Sequence, residues 1–555
     1  MGLSDAGFGA ELCDDIGRVS VSTRARELRG PMLWLRWLPA AAALIYAFVL
    51  VRRLPEIVDQ LTWNADYVSV MSLAQSIGPE GKTGHAIIVQ IGYFWFNLAV
   101  LPLPFHKLLW LYAPYVMALV TLLLLAWTAG RLCGRFAALL TAALGLAASP
   151  LVLSTQAADS YHGTTWFGAA LLAAFLCWLL TSRPGRNATL AVTLVVALLV
   201  GFATASDPLL APTGDAPFAA ALLLAWLVRR QEVDKRALVT GLGGLVGAGL
   251  VSAAIVLTDR LLGYTSSFPR GLTRFVPPER VPLHMQQLVG GLFEVAGMPR
   301  GGSPLGVVLG VLLIAGVLLP LTWLVVSVRG SMRASLLAVI AYWSASAVFL
   351  AAAFVFSDVP SDFLETSARY LVSMFFVAVA TVPLWAGQDP RRLAAIAVPA
   401  SVFILGNAAS VEQDASAGWF ENSFSVHLPG VISFLEAQGL TRGYAAYDEA
   451  SPMTLKSDFH LLVRPVTDQF ASDDERCAQP ICPYAYNSVS DWYSGSSGPT
   501  FILVDPEMVR LGQPPPDTLD PPTNVLHTGR FAIYVYADDV ASHMGIPAKF
   551  SRPLL

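Results

Sequence analysis

Asp66 is the residue of this chain whose type and surroundings best suit proton transfer. It lies in LTWNADYVSVMSLAQSIGPEG, just past an apolar run and in the first turn of a predicted helix. A carboxylate there is partly desolvated yet reachable by a polar acceptor, which are the conditions of a general base. The same position suits a helix cap, a role open to Asp66 or Asn64. Two more segments carry reactive groups: STQAADSYHGTTW (154–166) offers Asp159, Tyr161 and His162, and SDPLLAPTGDAPF (206–218) offers Asp207 and Asp215 among prolines. Such groups can place an acceptor hydroxyl, hold Mg2+ or Mn2+ through carboxylates and water, or cap adjacent helices. No DxD pair or close His spacing selects the metal, and His162 alone also fits a satisfied structural histidine. Arg270, Arg274 and Arg280 stand among prolines and aromatics in SSFPRGLTRFVPPER, and Arg369 opens a later apolar run. A guanidinium fork fits a phosphate and equally meets anionic lipid headgroups.

The frame that must position these groups is a membrane-embedded one. Across 555 residues, 55% are hydrophobic and only 13% charged, with a mean hydropathy of +0.57, so the chain cannot dissolve in water. A net charge of -4 removes the basic excess of a nucleic-acid binder. Apolar runs long enough to cross a bilayer recur near 33–51, 108–129, 133–153, 165–182, 187–205, 216–228, 237–258, 305–328, 332–357, 370–387 and 392–410, predicting about eleven transmembrane helices. The run at 216–228 is short and has to begin within its Pro-rich lead-in. Five loops, holding Arg131/Arg135, Arg183/Arg186, Arg229/Arg230/Lys235/Arg236, Arg329/Arg333 and Arg391/Arg392, concentrate twelve basic residues and are expected in the cytoplasm with the N-terminal segment 1–31. The alternating acidic loops, with Asp66, Asp159, Asp207 and Arg369, are expected outside. The segment 84–104 is long enough to span, but Gln90, Tyr93 and Asn97 form a polar stripe at helical spacing, and it is expected to lie along the outer face. In the preceding loop, Tyr67, Val70, Met71, Ala74 and Ile77 oppose Asp66, Ser69, Ser72 and Ser76, again predicting an interfacial helix.

Composition changes after the membrane domain (32–410). Residues 411–555 are expected to form an extracytoplasmic α/β domain: HLPGVISFLEAQGL (427–440) reads as a helix with a Gly stop, TFILVD (500–505) and FAIYVYAD (531–538) as strands, and 512–524 as an extended connection. The five cysteines are too few for a disulfide scaffold. Cys477 and Cys482 are the pair within this domain, and a disulfide between them is expected outside the cytoplasm, two free thiols being the alternative.

This layout resembles the GT-C superfamily of integral-membrane glycosyltransferases, which includes protein mannosyltransferases and aminoarabinose transferases. The resemblance covers roughly 33–410 and rests on the Asp-bearing first outer loop, on GRFAALLTAALGLAASPLVLSTQAADSYHGTTWFGAALLAAFL (134–176) with its Ser-Pro and following Asp, and on the long loop before the later spans. It implies Asp66 as the catalytic carboxylate, Asp159 as a second outer-face Asp, a polyprenyl-phosphate sugar as donor and inversion at the anomeric centre. The chain departs from that pattern in having one Asp in the first loop where several relatives have a pair, and in lacking a Lys-Pro-Pro near residue 84. The acceptor expected is an envelope glycan, lipid or protein, and the location a bacterial plasma (inner) membrane. Two other classes also fit the chain, a multi-pass transporter or flippase of envelope precursors and a membrane-anchored envelope assembly protein. The nearly charge-free spans weigh against translocation.

Overall fold

The computed structural model describes residues 32–78, 85–88, 90–158, 162–182, 184–266, 275–297, 303–328, 330, 332–358, 367–420, 427–468, 481–484, 486–495, 497–507, 511, 515 and 519–544. After a short helical turn at Met32–Leu35, helix α1 (Leu38–Leu61) runs to Asn64, which caps α2 (Ala65–Ile77). Strand β1 (Ala86–Ile88) and α3 (Ile91–Val100) lead into α4 (His106–Cys133). Helices α5 (Arg135–Leu146) and α6 (Pro150–Ala157) form one path bent by 86°. Ser149, at the bend, caps α6 by accepting the Val152 N–H, and its hydroxyl donates to the Val295 carbonyl at 2.8 Å. Then come α7 (Gly163–Thr181), α8 (Arg186–Ser206), a π turn (Ala211–Asp215) continuing into α9 (Ala216–Val228), and α10 (Lys235–Leu261). Strand β2 (Tyr264–Ser266) precedes α11 (Val281–Val295), α12 (Pro304–Val328), α13 (Ala334–Phe356), α14 (Val372–Ala386) and α15 (Pro390–Ser416).

Among the described residues nine helices are long and apolar enough to cross a membrane, or ten with the bent α5–α6 pair counted as one span. They leave Leu123, Leu190, Leu250 and Val325 exposed, an apolar surface that only a hydrocarbon surround tolerates. The short run at 216–228 does start within its Pro-rich lead-in, at Ala211. The expected eleventh span is the difference. It falls on α1, which is set apart from Met32–Leu35 by a turn at Arg36–Trp37 and carries Arg52, Arg53, Glu56 and Asp59 in its second half. Its apolar stretch, Leu38–Val51, covers roughly 21 Å at 1.5 Å per residue, short of a bilayer core of ~30 Å, so run length and composition do not mark it as a span. Its 24 residues nonetheless extend about 36 Å from the Trp37–Phe136 contact toward Asn64 and bridge the two ends of the bundle.

The bundle has two chemically distinct ends. At one, Arg229 donates to the Met332 carbonyl, Arg333 to the Leu132 carbonyl, and Gln388 to Cys133, so the basic loops gather together with the Trp37–Phe136 contact at the head of α1. At the other end lie Asp66, Asp207 and Arg369. Helix α3 stays at that second end: its ten residues span about 15 Å, and Lys107 at the start of α4 pairs with Asp458 of the C-terminal domain. The stripe Gln90, Tyr93 and Asn97 is turned inward rather than toward water: all three are buried, and Gln90 accepts hydrogen bonds from Ser206 at 3.0 Å and Thr164 at 3.4 Å. Buried polar groups need such partners, and the helical spacing alone cannot tell an inner face from a wet one.

Helix α15 continues past residue 410 to Ser416 and delivers the chain to a mixed sheet. Helix α16 (Leu428–Ala437) ends before Gly439, whose φ of +68° breaks the helix. Strand β3 (Arg442–Ala446), α17 (Tyr447–Lys456), β4 (Leu462–Asp468), β5 (Ile481–Pro483), β6 (Ser488–Val489), β7 (Thr500–Val504), β8 (Asn524–Thr528) and β9 (Phe531–Tyr536) follow. Six of these strands are ordered β5-β4-β3-β7-β9-β8, with β3 parallel to both neighbours. Leu428, Val431 and Leu435 of α16 pack on one face with Phe501, Leu503 and Ile533. The other face takes in Ile87 of β1 beside Ile502, Val504 and Tyr536. A second sheet, β2-β1-β6, pairs strands from both halves of the chain. Residues 512–514 and 516–518 of the connection at 512–524 lie outside the described residues.

This docking changes the setting of α2. Read as an amphipathic helix at an open interface, it is instead buried on almost every side, Ser69 and Ser72 included. Its serine face meets α17, where Ser72 donates to the Ser451 carbonyl at 3.4 Å, and Arg464 of β4 donates to Ser76 at 3.2 Å. The amphipathic pattern is real, but a second protein surface covers the polar side.

Candidate functional site

Asn64, with extended backbone, accepts the Asp66 N–H at 3.0 Å and caps α2. The cap is therefore Asn64, and the Asp66 carboxylate is engaged elsewhere. Its Oδ1 accepts the Tyr447 hydroxyl at 3.1 Å, and its Oδ2 lies 3.5 Å from Arg369 Nη1. The side chains of Asp66 and Arg369 are 31% and 23% exposed. At that distance and exposure the ion pair itself is weak. Arg369 sits where a short helical turn, Arg369–Leu371, leads into α14.

From Arg369 the contacts run on without a break. Its guanidinium lies 5.4 Å from the Tyr370 ring, and Tyr370 meets the His162 ring at 5.2 Å. His162 Nδ1 is 2.6 Å from Asp207 Oδ2, an oxygen that also accepts the Thr165 hydroxyl, while the Leu209 N–H donates to Oδ1 at 3.1 Å. Burial by itself pushes the Asp207 carboxyl up, but the charge and hydrogen bond of His162, with those of Thr165 and Leu209, outweigh it and hold the group below its ordinary value. A charged Asp207 fixes the His162 proton on Nδ1 and turns Nε2 away from the carboxylate. Asp207 thus stands buried behind His162 and acts on it, with only 5% of its surface exposed.

The structure brings Asp66, His162, Asp207 and Arg369 together at the end of the bundle that carries the C-terminal domain. Arg280 is exposed ahead of α11 and makes no described contact with this group. Asp159, Tyr161, Arg270, Arg274 and Cys477 lie outside the described residues. Cys482 is disulfide-bonded. Among the described residues no group of three or more His, Cys, Asp or Glu could hold a metal ion. Beside Thr164, two residues from His162, an almost wholly apolar cavity of about 440 Å³ is lined by Tyr93, Phe96, Tyr112, Val116, Met117 and Phe202, among others.

Sequence reasoning missed Tyr370, Thr165, Asn487 and above all Tyr447. In RGYAAYDEA (442–450) the first five residues are β3 and Tyr447 opens α17. A signal for Tyr447 existed in that pattern, because the carboxyl ends of parallel strands are where α/β sheets place functional groups.

No protein-family model matches the chain, and no curated protein matches it. Among solved structures the chain is similar to the crystal structure of ArnT from Cupriavidus metallidurans in the apo state, at 15% identity and a TM-score of 0.41, over 90% of this chain and 98% of that one. At that identity and score the likeness carries no assignment of activity.

Proposed function

We propose that this protein is a membrane glycosyltransferase that moves a sugar from a polyprenyl-phosphate donor to an envelope glycan, lipid or protein at the extracytoplasmic face of a bacterial plasma membrane. The observation that carries the reading is the joining of a partly exposed carboxylate, Asp66, to a partly exposed cation, Arg369, and a carboxylate-held histidine, His162, at one end of an apolar bundle. An apolar cavity beside Thr164 supports a lipid-linked substrate, because it offers a polyprenyl chain a place next to these polar groups.

A sugar phosphate already has a good leaving group, so the chemical need is for a base and for charge neutralisation. Asp66 takes the proton of the acceptor hydroxyl as that oxygen bonds to the anomeric carbon. The bond from that carbon to the phosphate oxygen breaks, and its electron pair stays with the lipid phosphate. Arg369 turns from Asp66 to the phosphate as its negative charge grows, and Arg270, Arg274 and Arg280 are further candidates for that contact. His162, oriented by Asp207, places the acceptor or the phosphate through Nε2, and Asp159 and Tyr161 are further candidates for binding the acceptor. The test is lipid and envelope-glycan profiling of a deletion strain. The proposal expects one lipid-linked sugar to accumulate while an envelope component loses that sugar; unchanged pools of every polyprenyl-linked sugar would contradict it.

A further inference from the structure

We propose that Tyr447, carried by the C-terminal domain, is a positioning residue for Asp66, so that docking of this domain completes the site. The inference rests on the reading of Asp66 as the base.

Three observations on separate elements support it. The Tyr447 oxygen lies 3.1 Å from Asp66 Oδ1 and 3.1 Å from Ser69 Oγ. A phenol has one proton, and a carboxylate is the stronger acceptor. That proton therefore goes to Asp66, and the Ser69 hydroxyl, one turn along α2, donates to the phenol oxygen. Ser69 in turn accepts from Asn487 Nδ2 at 2.8 Å. The donors run one way, from Asn487 through Ser69 and Tyr447 to Asp66, and each polarises the next. Ser69 and Asn487 are both 1% exposed, so water does not compete for these bonds.

The second observation is the backbone of Asn487. Its φ of +49° lies in the left-handed region, which Asn tolerates better than most residues. It is pinned there by β6, which pairs with β1 through Ser488–Ile87 and Val489–Ala86. A conformation this sparsely populated persists because neighbouring structure over-determines it. The third is the clamp on the phenol. The Tyr447 ring rests on Tyr484 at 4.7 Å, and burial, then the charge of Asp66, pushes the hydroxyl well above the usual tyrosine range. It remains a proton donor at any pH where the site works. With Oδ1 tied to Tyr447, rotation of the carboxylate is fixed and Oδ2 faces Arg369. A residue serving only to hold the domain in place would need the ring and not the hydroxyl.

The experiment uses the full-length chain in membranes. Total lipid extract of the deletion strain serves as donor and its envelope fraction as acceptor. Tyr447→Phe keeps the ring and removes the hydroxyl. The expected result is a fall in transfer rate at saturating lipid of roughly 10–100-fold, with the half-saturating lipid concentration unchanged within about twofold. If Tyr447→Phe does not accumulate, Ser69→Ala decides, with an expected loss of about 3–10-fold. Rates matching the wild type in a folded Tyr447→Phe, or in Ser69→Ala where that one decides, while Asp66→Asn is inactive, would overturn the role of Tyr447 alone. An active Asp66→Asn would overturn the reading on which it rests.

Discussion

At the scale of single residues, the ionisable groups of this protein divide into those that are satisfied and those that are held in tension. Asp207 is satisfied by three partners, His162, Thr165 and the Leu209 N–H. Glu449, two residues past Tyr447, is the opposite case: it is 1% exposed, and the Ala446 backbone and the charge of Arg530 compensate its burial only in part. Burial first, then the charges of Asp505 and Asp448, push its carboxyl well above the ordinary range. A group whose folded value is raised binds more protons in the folded chain, so stability falls as pH climbs from the unfolded value, about 4.3, through the folded one. Glu449→Gln removes that penalty. The variant is expected to melt at a higher temperature than wild type at neutral pH, with the difference closing below about pH 4, where both forms of the carboxyl are protonated. A gap that stays constant across the titration would show that packing and not charge is responsible. Asp66 was legible as a candidate base from its type and its place after an apolar run, whereas its partner was not. The tie from Tyr447 spans 381 positions of sequence, and no local pattern reports a contact of that length.

At the scale of elements, helix pairs whose central, packed stretches carry no charge must be held by close approach. Helices α8 and α10 show how. A Cβ on Gly201 would lie 2.5 Å from the Ala248 carbonyl oxygen, and one on Gly247 would lie 3.3 Å from Ala197. Gly249, two positions along on α10, faces open space. Gly201→Leu is expected to force the pair apart at a cost of about 1–3 kcal/mol or more, lowering the yield of folded protein in detergent, while Gly249→Leu leaves the yield unchanged. Equal yields would mean that the close approach does not matter. Helix positions were readable because hydrophobic run length is set by bilayer thickness, and the strands TFILV and FAIYVY were readable from β-branched and aromatic content. Burial of the polar stripes of α2 and α3 was not, since helical periodicity records a difference between two faces and not what covers each one.

At the scale of the whole molecule, two ends with different chemistry and one docked domain define how the chain works. Alternation of basic and acidic loops predicted which loops share an end, and the Arg229–Met332, Arg333–Leu132 and Tyr447–Asp66 contacts agree with it. Cysteines introduced at Ser76 and Glu436, both exposed, are expected to react with a membrane-impermeant maleimide in intact cells, and one at exposed Arg391 only after permeabilisation, each measured over the background of native cysteines. Labelling at Arg391 before permeabilisation would reverse the orientation. The docking itself could not be read beforehand, because the short strands β1, β2 and β6 that join the two halves are three, three and two residues long, below the length at which strand periodicity registers. The role of Asp66 as the base is tested most directly by returning Asp66→Asn to the deletion strain at wild-type protein level and measuring its lipid-linked sugars. Accumulation of the same sugar lipid as in the deletion, with the full-length variant present in the membrane, is the predicted result. Restoration of the wild-type lipid and glycan profile by that variant would contradict it.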